Sequence, residues 1–340
     1  MTTQNNKKKM DTSNILLKYG IYMVLIILII LFASLKPNAF LSGENLFNIL
    51  RQVSVVGIAA VGMSFVMLTG GIDLSVGATI GMVGVVTAWL ISPTKGVGLG
   101  LAVGITGGLL TGILLGLMNG FIINRLKIPP LIATLGMLTS VRGVAYLVTN
   151  GKPIFGFPKG FELLGQGYIW IIPIPVILMA VMFVVGYIIL NKLTIGRYIY
   201  GIGGNEEASR LSGINVKRMK YFAYAFCGFC SAIAGIVLLS RTNSGTPKAG
   251  TSYEMDIITA VVLGGVSITG GDGKLSGVVA GVLIMGVLAN GMIILGLSDY
   301  VQRVIQGLVL IAAVAFDIYA KQRKNRVENK SAACPVPSNG

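Results

Sequence analysis

The sequence predicts an all-α integral membrane protein with about ten transmembrane helices. Of the 340 residues, 54% are hydrophobic and 11% are charged, whereas a soluble domain usually carries about a quarter charged residues. The mean hydropathy is +0.81, and apolar runs recur at close to the roughly 20 residues that a helix needs to cross a bilayer. Because backbone polar groups must be satisfied within the membrane, helices are the expected spanning elements.

Ten candidate spans follow one another along the chain. The first follows a lysine cluster, but it is long for the apolar core of a signal peptide and no cleavage motif follows it, so we expect a retained helix. The eighth is short and rich in glycine, and it is either a half-helix or continuous with the ninth. Hydropathy places the spans near residues 16–35, 50–69, 74–92, 97–120, 130–149, 168–190, 220–240, 257–270, 275–297 and 301–319.

The distribution of basic residues predicts the orientation. With the N-terminus inside, 18 of the 27 lysines and arginines fall on the cytoplasmic side and 9 on the outer side, as expected when cytoplasmic loops retain Lys and Arg. Both termini are therefore expected in the cytoplasm. The expected organisation is a tail at 1–15, a transmembrane domain at 16–319 with its largest cytoplasmic loop at 191–219, and a tail at 320–340.

The fourth span contains a regular series of glycines. Small residues four apart let helix backbones approach closely in lipid, but each four-residue step drifts by about 40° around a helix. The series therefore predicts a central helix with neighbours on most sides, unless it is a chance excess in a chain with 47 glycines. The predicted packing glycines are Gly96, Gly100, Gly104, Gly108, Gly112, Gly116 and Gly120.

The sequence lacks the residues that most enzymatic functions require. It has no histidine, and it has no nucleophile elbow, HExxH or phosphate-binding GxxxxGK[ST] motif. Cys227 and Cys230 lie inside an apolar run without a second ligand pair, so packing is favoured over metal or redox chemistry. The net charge of +15 is spread over tails and short loops, which disfavours nucleic-acid binding. We expect no catalytic residues, no metal and no cofactor.

Two stretches of the chain resemble each other. LTGGIDLSVGATIGMVGV near residue 68 and ITGGDGKLSGVVAGVLIMGV near residue 268 both place a Thr-Gly-Gly break before a glycine-bearing helix. Transporters often consist of two related halves, so we interpret this match as a weak internal repeat.

The largest predicted cytoplasmic loop contains a short amphipathic segment, Asn205–Leu211. Its first residue is a good N-cap and Gly213 a good stop. Glu206 and Glu207 lie early and Arg210 late, as the helix dipole favours. The segment is either a docking helix for a partner or a solvated turn between two spans.

Four further stretches carry a family resemblance. GGIDLSVG, IGRYIYGIGGNEEASRLSGINV, AGTSYEMDIITAVVLGGVSITGG and LANGMIILGLSDYVQRVIQGLVLI resemble the permease subunits of ribose-, xylose- and galactose-type ABC importers. The resemblance implies a fold similar to the vitamin B12-type importer permeases and a bacterial inner-membrane location. It implies a second permease subunit, expected to be an identical copy, and a secreted sugar-binding protein. It also implies two ATPase domains, separate or fused in one chain, that bind ATP and Mg²⁺. Ribose is the first expected cargo.

The resemblance also assigns a role to the short amphipathic segment. In the family, the corresponding segment is the coupling helix, which lies in a cleft of the ATPase and transmits its closure to the membrane helices. On this chain it corresponds to Gly204, Asn205, Glu206, Glu207, Ala208, Ser209, Arg210, Leu211, Ser212 and Gly213. Crosslinking of a cysteine at Ser209 to the ATPase would test this role.

A few polar residues in or near the spans are candidates for the translocation path. Asp73 is either a functional acid or, as we favour, the N-cap of a helix that begins at Leu74. Arg142 is expected to pair with a loop acid such as Glu162. Candidate sugar contacts or helix breaks, none of them specific, are Asn119, Asn150, Asn290, Tyr146 and Trp89.

An ion-coupled secondary sugar transporter is the alternative function. That class usually needs ionisable residues near the bilayer midplane. In this sequence the acids fall at span ends or in loops, which favours the ATP-driven importer.

Overall fold

The computed structural model describes the backbone of residues 12–332 and the side chains of residues 20–319. This part of the chain contains fourteen helices and one hairpin of two short strands. In order, they are α1 (Thr12–Leu35), α2 (Pro37–Phe40), α3 (Gly43–Leu68), α4 (Val76–Ile91), α5 (Leu101–Arg125), α6 (Pro130–Thr149), α7 (Leu163–Gln166), β1 (Tyr168–Ile169), β2 (Ile172–Pro173), α8 (Ile174–Lys192), α9 (Thr194–Gly204), α10 (Glu206–Leu211), α11 (Val216–Thr242), α12 (Tyr253–Leu263), α13 (Leu275–Ile294) and α14 (Asp299–Ala332).

The predicted all-α membrane class is confirmed. Among the described residues, 7 helices are long and apolar enough to cross a membrane. They are α3, α5, α6, α8, α11, α13 and the Asp299–Tyr319 part of α14. The predicted first, third and eighth spans correspond to α1, α4 and α12. Helix α1 has 24 residues, of which Gly20–Leu35 have described side chains and form an apolar stretch. Helix α4 has 16 residues and α12 has 11. Within the described side chains, seven full-length spans and these three further helices therefore correspond to the ten expected candidates.

Two long helices form the centre of the bundle. The most apolar stretch of α3 is 78% buried and that of α11 is 72% buried, whereas the corresponding stretch of α5 is 22% buried. Helix α11 packs against α3, α4 and α5, and α3 also packs against α8, α12 and α13. The small residues that permit this contact include Gly62 of α3, which lies against Cys227 and Cys230 of α11.

The expectation that the glycine-rich helix is central is wrong. Helix α5 buries one face, which carries the glycines, and exposes Leu110, Leu114 and Met118 on the other. Two of the seven glycines, Gly96 and Gly100, precede the first residue of the helix. The angular drift of the series is therefore smaller than the full set implied, and two neighbours, α4 and α11, account for it.

The predicted eighth span is a half-length helix. Helix α12 ends before Gly264, and eleven residues without a helix, 264–274, separate it from α13. The alternative that it continues into the ninth span is therefore wrong. Eleven helical residues rise by about 16 Å, roughly half of the hydrocarbon core.

The ends of the chain are described in part. Helix α1 begins at Thr12, within the predicted N-terminal tail, and α14 continues to Ala332, well past the predicted end of the last span. Residues 1–11 and 333–340, the remainder of the two predicted tails, lie outside the described residues.

Candidate functional site

The short amphipathic segment forms the helix that the sequence predicts. The side chain of Asn205 caps α10 by accepting a hydrogen bond from the Ala208 N–H at 2.9 Å. Gly213 follows the helix with a φ of 84°, a conformation that glycine adopts without strain. The start and stop signals are local in sequence, which is why the helix bounds could be predicted.

Charged side chains cover most of α10, and one apolar side chain projects from it. Arg210 forms an ion pair with Glu207, and this hydrogen bond lowers the pKa of the Glu207 carboxyl below its usual value. Lys220, at the start of α11, donates to the Glu206 carboxylate at 2.7 Å. Leu211 is 78% exposed. The helix therefore presents one large apolar side chain beside charged ones, an arrangement suited to docking on a protein surface.

Ser209 is the one residue of α10 whose side chain is buried. It is 7% exposed, and its hydroxyl lies 3.3 Å from the position that a side chain on Gly201 would take. A crosslink from Ser209 is therefore a poor test of docking, and the exposed Ala208 and Leu211 are the appropriate positions.

Helix α9 leads directly into α10 and was not predicted from the sequence as a separate helix. It buries Gly196, Ile199 and Ile202, a spacing of three and three residues that marks one face of a helix. The hydroxyl of Tyr200 donates to the Gly273 carbonyl at 2.9 Å. Helix α9 is thereby attached to the segment between α12 and α13.

Glycines from three segments meet where α9 ends. We call Gly70, Gly203, Gly270 and Gly271 the glycine junction. A Cβ on Gly203 would overlap the Leu68 carbonyl oxygen and the Gly271 nitrogen. The same Gly271 N–H donates to the Leu68 oxygen at 3.0 Å. The two Thr-Gly-Gly breaks that the sequence relates to each other are therefore in direct contact. Both lie beside Gly203 and Gly204, the last two residues of α9.

Asp73 and Asn119, two predicted candidates, lie in one buried cluster. Asp73 accepts hydrogen bonds from the Ser75 N–H at 2.9 Å and the Ser75 hydroxyl at 2.6 Å. The Asn119 amide donates to both Asp73 oxygens at 3.2 Å. Helix α4 begins at Val76 with Ser75 as its N-cap residue, so the predicted helix start at Leu74 is two residues too early. The bond from the Ser75 N–H to Asp73 is nevertheless of the predicted capping type, in which a side-chain oxygen accepts from a backbone N–H where a helix starts. The carboxylate also ties the break before α4 to α5.

The remaining polar candidates do not converge on this cluster. Asn290 of α13 exchanges two amide hydrogen bonds with Asn45 of α3, at 3.0 and 2.8 Å, and so joins two helices. Asn150 lies just after α6 with a φ of 50°, and Tyr146 and Trp89 lie on exposed surfaces. Their side chains do not define a common site.

The predicted partner of Arg142 is wrong. Its Nη1 donates to the carbonyl oxygens of Pro247 and Ala249 at 2.7 and 2.6 Å, on the segment between α11 and α12. Glu254 is the acid whose charge acts on this guanidinium. Backbone carbonyl partners carry no signal in a sequence, because every residue type supplies one.

Comparisons with known proteins give a consistent result. Residues 45–314 match the family model described as "Branched-chain amino acid transport system / permease component". The ribose import permease protein of Bacillus subtilis is 46% identical over 316 residues, which cover 92% of this chain and 97% of that protein. The ribose import permease protein of Haemophilus influenzae is 42% identical, covering 94% and 99%. The L-arabinose transport system permease protein of Escherichia coli is 43% identical, covering 91% and 93%. No solved structure matches the chain.

Proposed function

Because the chain belongs to the family of branched-chain amino acid transport system permease components, we propose that it is the permease subunit of an ABC importer for ribose or a closely related monosaccharide. The observation that carries this proposal is the match to ribose import permeases at 46% and 42% identity over nearly the whole chain. The arabinose permease at 43% supports the same substrate class, a small polyhydroxyl sugar.

The proposed membrane fold has about ten crossings and is of the vitamin B12 type. The 7 full-length spans, together with α1, α4 and the half-length helix α12, support this number. An even number of crossings is consistent with both termini in the cytoplasm, as the excess of basic residues on that side indicates. The protein then lies in the bacterial inner membrane.

The proposed partners follow from the family and from the exposed surface of α10. An ATPase subunit, or a fused pair, binds α10 from the cytoplasm and supplies the sites for ATP and Mg²⁺. A secreted binding protein delivers the sugar from the other side, and a second copy of this chain completes the path. The capped helix α10, with Leu211 projecting from a charged surface, supports the ATPase contact.

The proposed mechanism is alternating access driven by the ATPase. Closure of the ATPase displaces α10, and the glycine junction transmits the displacement, because Gly203 contacts the break after α3 and the segment before α13. Two arrangements of the same helices, one open outward and one open inward, are then populated in turn.

Reconstitution in liposomes tests this function. We expect ribose uptake to require the ATPase inside, ATP and the binding protein outside, and to be abolished when any one of these is omitted. Uptake by the purified chain alone, driven by a proton or sodium gradient, would contradict the proposal and favour the secondary transporter. Uptake of arabinose in place of ribose would correct the cargo and leave the transport mechanism in place.

A further inference from the structure

Helix α12 begins half-way along its neighbour α13, in the interior of the bundle. A Cβ on Gly281 would overlap the Ala260 carbonyl oxygen, and one on Gly277 would overlap the Gly264 carbonyl oxygen. In this antiparallel register the first turn of α12 lies beside Met285, about 15 Å along α13 from its first residue. That depth is about half of a hydrocarbon core roughly 30 Å thick.

The segment before α12, residues 243–252, reaches the same depth without forming a helix. Gly245 lies against Ala88, near the end of α4, and Gly250 lies against Gly77, near its start. The segment therefore runs along about 16 Å of α4. Non-helical backbone occurs at membrane depth only where protein buries it or where it lines a water-filled cavity. The segment and α12 together form one broken span.

A small pocket opens at the point where this broken span becomes helical. Three polar side chains line it: Gln52 from the middle of α3, and Tyr253 and Asp256 from the first turn of α12. The rest of the lining is apolar and includes Val56, Val282 and Met285. Carboxylate, amide and phenol groups thus converge inside an otherwise apolar wall.

The polar groups of this pocket are not used by the fold. Within the described part of the chain, the side chains of Gln52, Tyr253 and Asp256 make no hydrogen bond to protein, and their polar atoms are not sealed from solvent. Neighbouring Glu254 faces away from the pocket, toward Gly77 and Arg142. A carboxylic acid at this depth is costly against lipid and is normally directed to the bundle interior or to water. The open side of the pocket is therefore expected to face a water-filled path.

We propose that Gln52, Tyr253 and Asp256 form a binding subsite for the hydroxyl edge of a monosaccharide in transit. This inference rests on the proposed function and identifies one binding position along the translocation path of the sugar. A carboxylate accepts hydrogen bonds from two hydroxyl groups, and an amide both donates and accepts. A tyrosine ring supplies an apolar surface with a polar end. This combination recognises a polyhydroxyl ligand and requires no charge on it.

The size of the pocket suits an edge of a sugar and not the whole ring. Its volume is about 40 Å³, and one water-sized group needs about 10–15 Å³. Two or three hydroxyl oxygens fit, while the ring remains in the open space beside them. Such partial enclosure gives weak binding, which a path requires because the ligand must leave as readily as it enters.

The test is uptake by the complete transporter in liposomes, with ATPase and binding protein present. The variants are Asp256→Asn, Gln52→Ala and Tyr253→Phe. Asp256→Asn keeps the shape of the side chain and weakens its capacity to accept hydrogen bonds. We expect the KM for ribose-loaded binding protein, or the uptake rate at subsaturating load, to change about tenfold for Asp256→Asn, the effect of losing one charge-assisted hydrogen bond. ATP hydrolysis stimulated by the binding protein is expected to change less than twofold.

A double-mutant cycle with deoxy sugars distinguishes a direct contact between Asp256 and the sugar from a purely structural role of Asp256. Each monodeoxy ribose is compared between wild type and Asp256→Asn, so that discrimination by the binding protein cancels in the ratio. We expect the variant effect to vanish for the deoxy sugar that lacks the bound hydroxyl. Glu162→Gln, on an exposed loop acid, and Tyr300→Phe, at an exposed tyrosine, are the matched controls and are expected to behave as wild type.

The outcomes separate this inference from the function on which it rests. Wild-type uptake with unchanged kinetics in all three variants would overturn the subsite and leave the importer standing. An equal loss for every deoxy sugar would assign Asp256 a structural role and also overturn it. Uptake that depends on a sodium or proton gradient and loses this dependence in Asp256→Asn would assign the carboxylate to ion coupling. Failure of the wild type to import any pentose would overturn both proposals.

Discussion

The N–H of Gly271 donates a hydrogen bond of 3.0 Å to the carbonyl oxygen of Leu68. This bond joins the break between α3 and α4 to the segment between α12 and α13, about 200 residues later in the chain. Gly203, the last residue but one of α9, packs against both atoms of this bond. Under the proposed mechanism, a displacement of α10 reaches two membrane segments at one point, without passing through long flexible side chains.

Gly203→Ala is expected to destabilise this junction and to uncouple transport. The added Cβ would overlap the Leu68 oxygen and the Gly271 nitrogen, which are backbone atoms that cannot rotate away. Overpacking of this kind costs about 1–3 kcal/mol. We expect a lower melting temperature in detergent and a loss of uptake per ATP hydrolysed.

Gly204→Ala is the control for this substitution. Nothing lies within 4 Å of a Cβ on Gly204, so this variant is expected to retain the wild-type melting temperature. Equal effects at the two positions would contradict the assigned contact, because only one of them places an atom in the junction.

The second prediction follows from the accessibility of α10. In the isolated permease, which lacks its ATPase, cysteines introduced at Ala208 and Leu211 are expected to react readily with a maleimide, whereas a cysteine at Ser209 reacts slowly because it is buried. Addition of the ATPase subunit is expected to protect positions 208 and 211. Mass spectrometry of labelled peptides measures each rate.

Protection of all three positions in the isolated permease would contradict the exposed surface of α10. Unchanged labelling at positions 208 and 211 after the ATPase binds would contradict the docking role. A cysteine at Lys152, on the outward-predicted loop, is a suitable control because ATPase binding should leave its labelling unchanged.

Local sequence signals predicted some elements well. The class of the protein follows from composition, and α10 follows from Asn205 and Gly213, because helix caps depend on residues within a few positions of one another. The weak internal repeat around the two Thr-Gly-Gly breaks was visible for the same reason. The signals that succeeded act over one or two helical turns.

Contacts between distant segments account for the failures. The sequence offered Glu162 as the partner of Arg142, but the carbonyls of Pro247 and Ala249 occupy that position. It placed the start of α4 at Leu74, two residues before the observed start, and gave no sign that Asn119 of α5 also donates to the Asp73 carboxylate. The pocket at Asp256 was missed because the acid falls at the edge of a predicted span, and its depth depends on where the broken span begins.

The glycine face of α5 makes a third prediction. A Cβ on Gly112 would lie 2.6 Å from the Ala232 Cβ and would overlap the Gly228 carbonyl oxygen. Gly112→Ala is therefore expected to separate α5 from α11 and to lower stability by about 1–3 kcal/mol. Gly136→Ala, on α6, is the matched control, since nothing lies within 4 Å of its Cβ, and it is expected to be neutral or slightly stabilising.

Thermal unfolding in detergent, followed by the reaction of a fluorogenic thiol probe with Cys227 and Cys230 in a Cys334→Ser background, measures this difference. Both thiols are buried, so they react as the helices separate. A larger loss for Gly136→Ala than for Gly112→Ala would contradict the assignment of the glycine face to the α4 and α11 contact.

The guanidinium of Arg142 makes the last prediction, because it holds the non-helical segment before α12 in place. It donates to Pro247 at 2.7 Å and to Ala249 at 2.6 Å. Hydrogen bonds from a charged group are worth about 1.5–3 kcal/mol each. Arg142→Ala leaves both carbonyls without this donor and removes the positive charge near Glu254. We expect a loss of at least about 2 kcal/mol and earlier proteolysis between residues 243 and 252.

Arg142→Lys distinguishes geometry from charge at this position. Lysine keeps the charge but has no planar donor fork, so partial recovery is expected if the Glu254 charge contributes and little recovery if the two carbonyl contacts dominate. Lys152→Ala, at an exposed residue of the neighbouring loop, is the control and is expected to show wild-type stability. Protease resistance of the 243–252 segment in Arg142→Ala would show that the segment is held by its packing along α4 alone, and the role assigned to the guanidinium would then be wrong.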